Sequence, residues 1–232
     1  MPGYRTKQER ISIAGVDDLV IRSLLDREQF DDRDGAAERL GISSAAWPLF
    51  GLLWPSGAQL AVRLGARPVT AGERILEIGC GLALASLVGH RRGADVTASD
   101  RHPLTELFLA ENLRLNGLLP MKYLHGDWQA VADPDQGGAG VAPDRFDLIV
   151  GSDLLYERDA SGALAGFVSR HAKASCEVWI VDPDRSNRPA FNRRMAADGF
   201  ARDEERLDAA ATATSAAYKG RLLVYRRKLS AH

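Results

Sequence analysis

Cysteine is nearly absent, with only Cys80 and Cys176 in 232 residues. They lie far apart without CxxC or Cys/His spacing, which excludes a zinc signature and a disulfide framework and points to a reducing cytoplasm. No run of about 18 apolar residues exists to span a bilayer. The N-terminal "MPGYRTKQERISIAG" lacks the apolar core, about 7–15 residues long, of an export signal, so a soluble, non-exported protein is expected. Charge of one sign is not in excess either. Thirty Lys and Arg oppose 31 Asp and Glu, so no overall field draws the chain to nucleic acid or a membrane surface. The five histidines are scattered without metal spacing, and no segment repeats; no metal is expected. What remains is a chain 45% hydrophobic and 26% charged, suited to one globular domain, expected as a monomer.

From Glu73 onward, short β-rich runs alternate with helical patterns, the sequence form of a parallel sheet covered by helices. Strands are predicted at 74–78, 95–99, 122–125, 147–151 and 177–182, with helices at 82–92, 103–116, 160–173 and 188–198. Pro103 is read as a first helical position and Asn116-Gly117 as a stop. "FARDEERL" and "GRLLVYRRKL" then form two strands with no crossover helix, hence antiparallel to each other. "ADPDQGGAGVAP" at 132–143 is read as a flexible loop insertion. Residues 1–45 differ in character: a possible strand at 18–21 and the charged "DREQFDDRDGAAERL" make an extension expected to pack on the main domain at 46–232. A helix is expected from Ser56 to about Leu64.

"ILEIGCGLALAS" at 75–86 carries the first chemical signal. A strand ending in Glu77-Ile78 runs into Gly79-Cys80-Gly81 and a helix, and glycines there let a ligand approach the main chain. The next strand ends at Asp100, whose carboxylate is placed to accept the ribose hydroxyls of an adenosine. The competing reading makes the glycines a tight corner and Asp100 a cap for the helix beginning at His102 or Pro103. Leu84 stands where GxGxxG needs its third glycine, and Glu77 repels a pyrophosphate, so the turn suits a cationic ligand better than a dinucleotide.

"LEIGCGLALA", "VTASD", "GDW" and "LIVGSDLLYE" together resemble the class I, seven-β-strand S-adenosylmethionine-dependent methyltransferases. The resemblance covers about residues 45 to 230. It implies a Rossmann-like α/β fold with sheet order 3-2-1-4-5-7-6, strand 7 antiparallel, and helices on both faces. It implies S-adenosyl-L-methionine as cofactor, its methionine part framed by Glu77, Gly79 and Gly81, its ribose held by Asp100 and its adenine flanked by Asp127 and Trp128. Trp54, Cys80, Arg101 and Ser152 complete the implied cofactor site. Ala83 departs from the pattern by replacing the third glycine; alanine, the best helix former, is expected to suit the helix start.

"LWPSGAQLA" and "SDLLYE" resemble a narrower group, the protein lysine methyltransferases of methyltransferase family 16, some of which act on electron-transfer flavoprotein or on AAA-type chaperone ATPases. The resemblance makes Asp153 the residue that orients the acceptor amine and Tyr156 the one that shapes its pocket. The acceptor is left open between a protein lysine, an arginine as in a histone-directed relative, and a small amine, and a non-catalytic cofactor-binding module is a further alternative. Asp153 also reads as a cap and Tyr156 as core. "VDPDRSNRPAF" after the fifth strand offers Asp182, Asp184 and Arg185 as candidates at a substrate entrance, or as a solvated loop capping the next helix.

Overall fold

The computed structural model describes residues 3–128, 145–156, 159, 161–211 and 217–228. The loop expected at 132–143 lies outside the described residues. A hairpin of β1 (Thr6–Ile13) and β2 (Val16–Leu24) comes first, then a short α1 (Ala36–Arg39), two 3-10 turns at Ser44–Ala46 and Leu49–Gly51, and α2 (Pro55–Ala66). β3 (Arg74–Ile78), α3 (Leu84–Arg91), β4 (Asp95–Asp100), α4 (Thr105–Leu115), β5 (Lys122–His125) and β6 (Phe146–Ser152) follow. α5 (Ala163–His171), β7 (Ala172–Asp182), α6 (Arg188–Ala197), β8 (Ala201–Ala209) and β9 (Tyr218–Arg227) complete the described elements.

Seven strands form one sheet in the order β5-β4-β3-β6-β7-β9-β8. Pairing is parallel from β5 through β7, and β9 runs antiparallel to both β7 and β8. Counted from β3, this is the expected order 3-2-1-4-5-7-6 with the seventh strand reversed. Both faces are buried, so neighbouring strand residues feed different cores. Ile75, Leu148, Val150, Val181 and Leu222 pack with α2, α3 and α4. Leu76, Ile149, Ile180, Leu223 and Tyr225 pack with α5 and α6 on the other face. The chain reverses its direction of travel across the sheet between β3 and β6, the switch point where a crevice opens at the strands' carboxyl ends.

Several boundaries depart from the sequence reading for physical reasons. The strand expected at 18–21 is nine residues long and has a partner, β1, joined through Ala14-Gly15. The hairpin buries Ile13, Leu19, Ile21 and Leu24 completely or nearly so. The free edge of β2 meets two amides of α4. Asn116 accepts from the Val20 N–H and donates to its carbonyl, both at 2.8 Å, while Asn112 accepts from the Arg22 N–H at 2.8 Å. Pro103 lies in the turn before α4, which starts at Thr105. β7 begins at Ala172, five residues earlier than expected.

Candidate active site

The carboxyl ends of β3, β4, β6 and β7 surround one cleft of about 1030 Å³, at the upper end of the size range of small-molecule sites. Its walls include every residue singled out for cofactor or acceptor: Trp54, Glu77, Gly79, Cys80, Gly81, Asp100, Arg101, Asp127, Trp128, Ser152, Asp153 and Tyr156. Residues 41–53 form a further wall that the sequence reading did not foresee.

Gly79 and Gly81 have φ of 58° and 51°, in the left-handed region that disfavours any residue with a Cβ. A Cβ on Gly79 would stand 2.5 Å from Leu154 Cδ2, and one on Gly81 would stand 3.0 Å from the Phe50 carbonyl oxygen. The two glycines therefore keep a cradle open and let the 49–51 turn close against it.

Ala83 corrects the expectation built on helix propensity. It is not in the helix: it is the N-cap of α3 at φ 57° and ψ 37°, and α3 starts at Leu84. A left-handed alanine is strained by about 1–2 kcal/mol relative to a right-handed one. Its buried methyl group returns about 0.8 kcal/mol. Ala83→Gly is therefore expected to shift urea-unfolding stability by less than about 1 kcal/mol and cofactor affinity by less than about threefold, because the backbone already follows a glycine path. Gly81→Ala, which adds both strain and a contact on Phe50, is expected to lower stability by at least about 1–2 kcal/mol in the same assay.

Glu77 is fully buried in β3 and reaches across to cap α3, its Oε2 accepting the Ser86 N–H at 2.7 Å and the Ser86 hydroxyl. Burial raises its pKa to about 7, although the Ser86 bonds pull the other way. Asp100 is raised too by burial, and its oxygens already serve the main chain: Oδ2 accepts from Gly81 N–H at 2.9 Å and Oδ1 from His102 N–H at 2.8 Å. The capping reading is thus partly realised, but toward the turn at His102 rather than a helix start. The Arg101 N–H and the Thr105 hydroxyl also lie within reach of Asp100 and stabilise its ionised form.

Arg101 donates to the Leu40 carbonyl and lies 4.0 Å from Asp127, linking the 41–53 wall to the segment after β5. His102, one of the histidines without metal spacing, is buried and stacked on Phe50 with ring centroids 3.8 Å apart. Desolvation lowers its pKa to about 4. Trp54 is the N-cap of α2 with Pro55 as first helical residue, and its indole donates to the Leu49 carbonyl at 3.0 Å while its ring borders the cleft. Trp47 donates to the Ile42 carbonyl at 2.9 Å and does not line the cleft.

On the opposite side, Asp153 follows β6 with φ 59°, a non-glycine residue held in the left-handed region. Such strain clusters at functional sites. Its N–H donates to the Val181 carbonyl at 2.9 Å, and its Oδ1 accepts from Arg185 Nε at 2.8 Å and from Nη2. Tyr156 borders the same side and is 47% exposed, so it is a rim residue rather than core. Of the candidates after β7, Arg185 reaches the cleft, whereas Asp182 is completely buried and not part of a solvated loop. Asp184 lies outside, clamped by Arg188, Arg206 and Arg221, which hold its carboxyl down at about 2. Among the described residues no group of His, Cys, Asp and Glu is placed to hold a metal ion, and no helix is long and apolar enough to cross a membrane.

Residues 51–193 match the family model described as lysine methyltransferase. The chain belongs to this family. The matched region contains the glycine turn, Asp100, Asp127, Asp153 and Arg185. The chain is 29% identical over 151 residues to the electron transfer flavoprotein beta subunit lysine methyltransferase of Mus musculus, covering 64% of this chain and 55% of that protein. It is 30% identical over 114 residues to a histidine protein methyltransferase 1 homolog of Dictyostelium discoideum, covering 48% and 35%. This lysine methyltransferase family member thus spans about half the length of the flavoprotein-directed relatives it matches. Its fold is shared by the 16S rRNA N2 G1207 methyltransferase of T. Thermophilus, solved with AdoMet and guanosine. The TM-score is 0.60 and identity 19%, over 98% of this chain and 52% of that one.

Proposed function

We propose that this protein is an S-adenosylmethionine-dependent N-methyltransferase acting on a protein lysine side chain. One observation carries the reading: a single continuous cleft joins the Glu77–Gly81 turn to Asp153 and Tyr156. Family membership and the flavoprotein-directed relatives support lysine as acceptor.

The residues fit the cofactor in charge and shape. Glu77 offers a buried carboxylate to a cationic methionine end, and the left-handed Gly79 and Gly81 leave main chain for it to lie on. Asp100, which lines the cleft at the end of β4, would hold the ribose hydroxyls, and Trp128, beside Gly79, would cover the adenine with Asp127 at its edge. Trp54, Cys80, Arg101 and Ser152 border the same volume. When bound, S-adenosylmethionine supplies a methyl group that passes to the acceptor nitrogen as the C–S electron pair returns to sulfur.

This chain's own task is then to hold an unprotonated amine in line and exclude water. Alignment at about 3 Å is a large part of the catalytic power of such sites. Asp153 would accept an N–H of the acceptor, and the Tyr156 ring would favour a cationic nitrogen at the rim. The two cysteines are buried free thiols, which supports work in a reducing compartment such as the cytoplasm.

The test incubates the purified protein and methyl-tritiated S-adenosylmethionine with lysate from cells lacking the gene. Label in protein that hydrolyses to methyl-lysine supports the reading. Label confined to small molecules would make the enzyme a small-amine methyltransferase, and no label in several lysates would make it a binding module.

A further inference from the structure

Asp153 is not a free carboxylate. Arg185 grips its Oδ1 through Nε and Nη2, and Arg185 is anchored in turn. Its backbone N–H donates at 2.8 Å to Oδ2 of Asp182, a completely buried residue at the end of β7. Two residues on, the Asn187 amide donates at 3.0 Å to the Leu155 carbonyl, so the 182–187 loop is tied to the Asp153–Tyr156 segment at two points. The Asp153 side chain is only 12% exposed and that of Arg185 35%, so the guanidinium is the more open of the pair, and both border the cleft.

This arrangement bears on a difficulty in the proposed reaction. A lone carboxylate beside a lysine ammonium stabilises the protonated form, whereas methyl transfer needs the neutral amine. A guanidinium on the same carboxylate cancels its charge and sets a like charge near the incoming nitrogen, which favours loss of the proton. We propose that Arg185 is a positioning residue for the acceptor: it fixes Oδ1 of Asp153, leaves Oδ2 for the acceptor N–H, and its permanent charge shifts the bound amine toward its neutral form. The inference rests on the reading that the acceptor binds at Asp153.

Other groups around the cleft titrate or carry charge. The acceptor side adds Tyr156, Asp159 and Arg194, with Asp182 and Tyr218 behind the wall. The cofactor side holds Glu77, Cys80, Asp100, Arg101, His102 and Asp127. They are common to the wild type and its variants, so the displacement of the pH profile between the two isolates Arg185.

The experiment measures single-turnover methyl-lysine formation against pH, with enzyme in excess, saturating methyl-tritiated S-adenosylmethionine, and protein from cells lacking the gene as acceptor. Arg185→Gln is expected to move the midpoint up by about one pH unit, so its rate is about tenfold low at neutral pH and recovers in alkali. Arg185→Lys keeps a charge and is expected to keep the wild-type midpoint within about 0.3 unit while losing rate through its lost two-point grip. A slower Arg185→Gln enzyme with an unmoved midpoint, or an Arg185→Lys profile displaced as far as that of Arg185→Gln, overturns the proposal alone. A wild type that forms no methyl-lysine overturns it together with the reading beneath it.

Discussion

Glu77→Gln is expected to make the protein more stable above pH 7 and a much poorer binder of S-adenosylmethionine. Burial holds the Glu77 carboxyl at about 7 in the folded chain, against an ordinary value of 4.5. The folded state therefore keeps this proton longer than the unfolded one. Below the ordinary value both states carry it and nothing is lost; as pH rises through about 7 the folded chain must ionise a buried group, and stability falls. Each pKa unit is worth about 1.36 kcal/mol, so the full cost above that window is on the order of 3 kcal/mol.

His102 acts in the opposite sense. Its pKa is lowered to about 4, so its stability contribution is lost as pH falls below the ordinary 6.5 toward that value. The two slopes oppose each other over most of the same interval in the wild type. Glu77→Gln removes the opposing glutamate slope while keeping that of His102, and still offers an oxygen to Ser86. Urea unfolding from pH 5 to 8.5 checks this: the variant should gain stability with pH and then level off.

A cationic ligand reverses the balance at Glu77 by favouring the ionised form. Cofactor binding near pH 6 should release a proton, and affinity should rise with pH through about 7. The variant should release none and bind about 10- to 100-fold more weakly, a loss of roughly 1.4–2.7 kcal/mol. Calorimetry in two buffers of different ionisation enthalpy counts the proton. Equal affinity and equal proton release in the two proteins would remove Glu77 from the cofactor site.

Asp153→Asn is expected to lower turnover by about 100-fold or more while leaving cofactor affinity within about twofold. Asparagine tolerates the left-handed backbone at least as well as aspartate, so the fold and the Val181 contact should survive. What is lost is the second carboxylate oxygen: with the amide oxygen held by Arg185, an NH2 donor stands where Oδ2 would accept the acceptor N–H, and the amine loses its alignment. Cofactor titration and single-turnover rates on one preparation separate the two effects. A variant that loses affinity but keeps its rate would move Asp153 from the acceptor to the cofactor side.

The parts of this protein that sequence made legible are those whose chemistry is periodic or punctuated. Ile75-Leu76 and Leu148-Ile149-Val150 are continuous apolar runs because both sheet faces are buried, and such runs mark parallel strands. Gly79, Gly81 and Asp100 stand at strand ends, where spacing alone implies proximity. Strand β1 left little trace because "TKQERISI" is mostly polar and only one of its residues is buried. Ala83 misled because propensity speaks for the helix interior, whereas the residue is a left-handed cap. The Arg185–Asp153 pair joins residues from different loops, and a solvated arginine and a gripping one read alike. The Phe50–His102 stack was hidden for the same reason.

Tandem mass spectrometry of acceptor proteins treated with the purified enzyme and S-adenosylmethionine tests the account most directly. Mass steps of 14 Da localised to lysine side chains by the wild type, and strongly diminished over the same time with Asp153→Asn, are the predicted result. Steps confined to other residue types, or lysine steps undiminished in Asp153→Asn, would contradict it.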